Sequence, residues 1–84
     1  MSQFPVTIIQ GVTGETVSID VTSTTKILDL KRKIQIEYGL NPEDQALVFA
    51  NHQLNDDTKA VAEYGIVADS TIVVVAKLKG GNYF

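Results

Sequence analysis

Residues 26–40 read KILDLKRKIQIEYGL. Ile27, Leu30 and Ile34 recur at spacings of three and four, with Lys31, Arg32 and Lys33 turned elsewhere as a short basic run expected on the solvated face. That spacing predicts one amphipathic helix. The polar run Thr22–Thr25 precedes it, and Thr24 or Thr25 is placed to cap its start through a hydroxyl. Gly39 stands where a left-handed residue ends a helix, Leu40 can fold back over that end, and Pro42 prevents continuation.

Strand patterns flank this helix on both sides. Phe4, Val6 and Ile8 alternate with Pro5 and Thr7, the period of a half-buried strand, and Pro5 belongs at its start or edge. Gln10–Gly14 contains two glycines, which suit a hairpin turn. From Glu15 to Val21, Val17, Ile19 and Val21 fall on one face and Thr16, Ser18 and Asp20 on the other. The first 21 residues therefore read as a β-hairpin. Beyond the helix, Leu47–Ala50 reads as a short strand, Asn51–His52 as a tight turn and Gln53–Leu54 as a brief return strand. Asn55–Lys59 is a polar loop, Ala60–Tyr64 a helical turn closed by Gly65, and Ser70–Leu78 the last strand.

The order is β-β-α-β-β, a short turn, then β. One helix covers one face of one sheet. The expected class is α+β: a curved mixed sheet of about five strands packed on one helix, the β-grasp arrangement. The chain divides into a domain over residues 1–78 and a flexible tail over 79–84.

Composition narrows the function. Eighty-four residues suffice for one domain, and 44% hydrophobic content exceeds what a disordered chain carries. There is no cysteine, so thiolate metal sites, disulfides and cysteine nucleophiles are excluded. A net charge of −3 and a pI near 4.8 argue against nucleic acid as a partner. No apolar run approaches the roughly 20 residues of a membrane-spanning helix, and the N-terminus lacks the pattern of a signal peptide. The expectation is a soluble monomer, cytoplasmic, with the nucleus as the alternative in a eukaryote. His52 is the lone histidine and has no nucleophilic partner in the sequence. Asp56–Asp57 and Glu43–Asp44 lack the spacing of a calcium loop. No metal, no cofactor and no enzymatic activity are expected.

One stretch invites binding. Ile72–Ala76 is continuously apolar, yet side chains on a strand alternate faces. Either Val73 and Val75 or Ile72 and Val74 must point away from the helix. Val48, between Leu47 and Phe49, poses the same problem. An apolar patch on the open face of the sheet follows, and such patches mark interaction sites.

The chain resembles the ubiquitin family from about Phe4 to Gly81. The resemblance is carried by Thr13–Val17, Leu30–Gln35, Asp44–Ala50, Gln53–Asp56, Glu63–Ile66, Ser70–Ile72 and Lys77–Gly81. It implies a protein modifier made as a precursor. A processing protease would cut between Gly81 and Asn82, freeing the Gly80–Gly81 end. An activating enzyme, using ATP, would then adenylate the Gly81 carboxylate, which passes as a thioester to a conjugating enzyme and ends as an amide on target proteins. Lys77, Leu78 and Lys79 would guide the tail into the clefts of these enzymes. The resemblance also places Val12, Val48 and Val75 in the family's partner-binding patch. Val73 stands where the family has a histidine, and His52 replaces a lysine beside the patch.

Lys31 and Lys33 match two family lysines that can accept a further copy in chains. Other chain-forming positions hold His52, Ala68 and Glu15, which favours a single-copy tag. Ala46 and Lys77 stand where the family has arginines that its enzymes grip, which favours a dedicated enzyme set. The rival functions are a ubiquitin-like docking domain that is never conjugated, a β-grasp sulfur carrier, and one segment of a larger precursor.

Overall fold

The computed structural model describes residues 2–77. The strands are β1 (Phe4–Gln10), β2 (Thr16–Val21), β3 (Gln45–Phe49), β4 (His52–Gln53) and β5 (Thr71–Ala76). The helix α1 spans Ile27–Tyr38, and short 3-10 turns occupy Pro42–Asp44 and Val61–Tyr64. The described strands form one sheet in the order β2-β1-β5-β3-β4. The central pair β1 and β5 is parallel, and the other pairings are antiparallel. This is the mixed sheet on one helix expected from the sequence.

The alternation in β1 and β2 sets the core. Val6, Ile8, Ile19 and Val21 turn inward and are buried, as are Ile72 and Val74 of β5 and Leu47 of β3. Ile27, Leu30 and Ile34 meet them from the helix with no exposed surface. Each such aliphatic side chain contributes about 1.5–3 kcal/mol of burial. Leu54, Val61 and Ile66 close the far side. The buried Gln45 side chain donates to the carbonyls of Lys31 (2.8 Å) and Leu40 (2.9 Å). It thereby fastens the start of β3 to the helix and to the chain that leaves it.

Three local expectations are corrected. The helix is not capped by Thr24 or Thr25: its N-cap is Lys26, with no side-chain capping bond. The Thr25 hydroxyl instead accepts from the Thr22 amide at 2.9 Å. The first helical amides donate to a distant loop, Ile27 to the Lys59 carbonyl (2.9 Å) and Leu28 to that of Asp57 (3.2 Å). A tertiary contact thus satisfies the donors that a helix start leaves open. The β3–β4 turn is Ala50–Asn51, one residue earlier than expected, with φ of 51° and 67°. Positive φ at both central residues is what a two-residue turn needs to match the strand twist. Leu54 consequently leaves the strand and enters the core. Finally, Lys31 does not face solvent with Arg32 and Lys33. It is buried, and its ammonium lies 2.9 Å from the Asp57 carboxylate.

The helix stop follows expectation. Gly39 takes φ 72° and its amide donates to the Gln35 carbonyl at 2.7 Å. The 3-10 turn at Pro42–Asp44 has no counterpart in the sequence patterns.

Candidate docking face and tail exit

The register of β5 decides which valines are open. Ile72 and Val74 are buried against the core, while Val73 and Val75 are half-buried on the opposite face. Val73 pairs with Ile9 of β1 on one side and with Val48 of β3 on the other. Paired residues present their side chains to the same face, so Ile9, Val73 and Val48 form one apolar row across three strands. Val75 begins a second row with Ala46 as its partner. Gly11 lies on the other side, where an added Cβ would sit 2.6 Å from Val75 Cγ1. Its missing side chain lets the backbone press against Val75, while its amide donates to the Val74 carbonyl at 2.8 Å.

Ile9, Ala46 and Gln53 also belong to this face, although the sequence patterns do not single them out for it. Ile9 carries the same signal as Val48, since Ile8 and Ile9 are adjacent and cannot both face the core. Gln53 occupies the outward place because it pairs with Val48, whereas His52 pairs with Phe49. His52 is exposed on the edge strand and, as the partner of Phe49, falls on the face opposite the Val48 row, so the register does not place it in the patch.

Val12 stands apart from these rows. It is 63% exposed in the turn between β1 and β2. The turn overhangs a groove of about 210 Å³ lined by Gln10, Val12, Thr13, Leu40 and residues 74–76. Val75 belongs both to this groove and to the outer face, so the two apolar surfaces are continuous. Neither row holds a charged side chain.

Beside the groove, Tyr38 donates its hydroxyl to the Glu15 carbonyl at 3.1 Å, with the Ile8 carbonyl at 3.5 Å. Burial, and then the carboxylates of Glu15 and Glu37, hold its phenol above the ordinary tyrosine pKa. Elsewhere, Asp56 accepts from the Thr58 hydroxyl (2.6 Å) and amide (3.0 Å), which lowers its carboxyl pKa. This is a loop-shaping turn remote from the face. Among the described residues no group of three or more His, Cys, Asp or Glu could hold a metal.

The described chain ends just after β5, at Lys77. Lys77 is exposed, and its amide donates to the Asp44 carbonyl at 2.7 Å, fixing the point of exit. Leu78, Lys79, Gly80, Gly81 and Asn82 lie outside the described residues. Of the lysines expected to accept a further copy, Lys33 is exposed and Lys31 is buried.

The sequence profile of the ubiquitin family matches residues 6–79. The ubiquitin-like protein NEDD8 of Dictyostelium discoideum is 34% identical over 73 residues, covering 87% of this chain and 94% of the relative. Ubiquitin-like protein 1 of Schizosaccharomyces pombe is 27% identical over 74 residues, covering 88% and 94% respectively. The solution structure of a ubiquitin-like domain from Arabidopsis thaliana superposes with a TM-score of 0.86 at 28% identity, over 95% of this chain and 83% of that one. Sheet order, core, apolar outer face and these similarities agree: the chain is a β-grasp protein of the ubiquitin family.

Proposed function

We propose that this protein is a ubiquitin-like modifier, a substrate of conjugation enzymes in the cytoplasm and not itself an enzyme. The observation that supports this best is the arrangement of β5. One strand carries Val73 and Val75 on the open face and runs directly into Lys77 and the Gly80–Gly81 sequence. A partner seated on the face is thereby held beside the end of β5, from which the sequence continues to Gly81.

In this reading a protease hydrolyses the Gly81–Asn82 amide, releasing Asn82–Phe84 and a Gly81 carboxylate. That carboxylate attacks the α-phosphorus of ATP on the activating enzyme and expels pyrophosphate. An enzyme thiolate displaces AMP to give a thioester. A second thiolate on the conjugating enzyme takes over the acyl group, and a target amine then displaces it to form an amide. Glycine at positions 80 and 81 lets the extended backbone enter narrow clefts. Lys77, Leu78 and Lys79 guide the tail. The Val73 face supplies docking through apolar contact, with little electrostatic attraction, because its rows carry no charge.

The test is expression of an N-terminally tagged chain in its native cells. Heavier tagged species that vanish in Gly81→Ala support conjugation. Species of unchanged mass in both, with the protease, activating enzyme and conjugating enzyme present, contradict it.

A further inference from the structure

The docking face and the tail leave Tyr38 without a role, yet it ends the helix in a specific set of contacts. Its ring is half-buried against the core, and its hydroxyl reaches across to the hairpin. The nearer acceptor is the Glu15 carbonyl at 3.1 Å, and the Ile8 carbonyl stands at 3.5 Å. These carbonyls lie on opposite sides of the turn. The Glu15 carbonyl also accepts from the Gln10 amide at 2.8 Å, and the Gln10 carbonyl accepts from Gly14 at 2.8 Å. The hydroxyl therefore grips the rung from which the Val12 turn projects.

The next residues complete the arrangement. Gly39 reverses the chain in the left-handed region, and Leu40 then lines the groove that Val12 overhangs. Tyr38 and Leu40 thus touch the base of the hairpin and the groove beneath its tip from a single helix end. Val12 itself is largely exposed and has little packing to hold it in place.

We propose that Tyr38 is a positioning residue for the docking surface. Its hydroxyl clamps the hairpin base to the end of α1, which fixes Val12 relative to Leu40 and Val75 and sets the width of the groove. The functional consequence rests on the docking role of this face. A preordered turn binds more tightly because less freedom is lost on association.

The test is Tyr38→Phe in the full chain, which keeps the half-buried ring and removes the donated hydrogen bond. Amide exchange and backbone relaxation of the free protein read the clamp without any partner. The clamp predicts exchange roughly three- to ten-fold faster at Gln10 and Gly14, as expected for loss of one hydrogen bond. It also predicts weaker Val12–Leu40 methyl contacts, with β3 and β5 unchanged. Hairpin amides unchanged, or amides accelerated equally everywhere, would overturn it. The second readout is the rate at which tagged adducts form in native cell extract, alongside Val73→Asp. Slowing in both variants supports the positioning role. Loss in Val73→Asp with a normal rate in Tyr38→Phe overturns the positioning role but leaves docking intact. A normal rate in Val73→Asp refutes the docking reading itself, and with it the functional consequence of the clamp.

Discussion

The Lys31 ammonium lies 2.9 Å from an Asp57 carboxylate oxygen, while the Asp57 carbonyl accepts the amide of Leu28. One loop residue therefore pairs with the middle of the helix and closes its start. The Lys31 side chain is 7% exposed and that of Asp57 42%. Asp57→Asn should cost about 2 kcal/mol, below the roughly 3–5 kcal/mol of a fully buried pair because water reaches Asp57. Denaturant unfolding measures it. The same burial should shield Lys31 from amine acylation in the native protein. Peptide mapping after limited acetylation should find Lys33 modified at least about ten-fold faster, in line with a rare opening of the Lys31 site. Of the two helix lysines expected to accept a further copy, Lys33 is then the more reactive.

Gly11 should resist enlargement. Its absent Cβ would fall 2.6 Å from Val75 Cγ1, and a β-branched valine has little freedom to turn away. Gly11→Ala should lower stability by about 1–2 kcal/mol through overpacking. At the usual entropy of a domain this size, that is a fall in Tm of roughly 4–16 °C. Thermal unfolding checks it, and methyl spectra should show Val75 displaced on the open face of the sheet.

The Ala50–Asn51 turn adopts positive φ at a cost. Ala50 sits at φ 51°, where an L-residue with a Cβ is strained by about 1–2 kcal/mol. An asparagine followed by a glycine is the pair that such a turn favours. The double change Ala50→Asn with Asn51→Gly should therefore raise stability by up to about 1 kcal/mol. A denaturation midpoint unchanged or lowered would show that the turn is held by contacts outside it.

Tyr38 gives the expected pH response. Its folded-state pKa stands above the ordinary 10.0, first through burial and then through Glu15 and Glu37. A raised pKa favours the neutral phenol in the native state, so this stabilisation is complete below the unfolded value. It is lost as pH rises through the folded value, when the hydroxyl can no longer donate. Stability measured above about pH 10 should therefore fall more steeply for the native chain than for Tyr38→Phe. Parallel curves would remove the effect.

The fold is legible in the sequence because its signals are local. The spacing of Ile27, Leu30 and Ile34, and the alternation through β1 and β2, each fix a buried face within a few residues. The open face is half legible. Five consecutive apolar residues force an outward pair, but only the β5 register, with Ile72 and Val74 inside, assigns it to Val73 and Val75. Ile9 joins them through a parallel pairing with Val73, a residue far along the chain and beyond any local pattern. The helix cap misleads for the same reason. A threonine run next to the helix is a local signal, but carbonyls of Asp57 and Lys59 from across the chain supply the bonds. Lys31 misleads because a charged residue on an amphipathic helix is ordinarily solvated, and its partner Asp57 lies 26 residues further on.

Joining of the Gly81 carboxylate to other proteins is read out most directly by peptide mass mapping of tagged chain recovered from its native cells. A processed modifier should lack Asn82–Tyr83–Phe84 and yield peptides in which Gly81 is amide-linked to a lysine of another protein. A chain that keeps Asn82–Phe84 and carries no Gly81 linkage, in cells that contain the protease and activating enzyme, would contradict it.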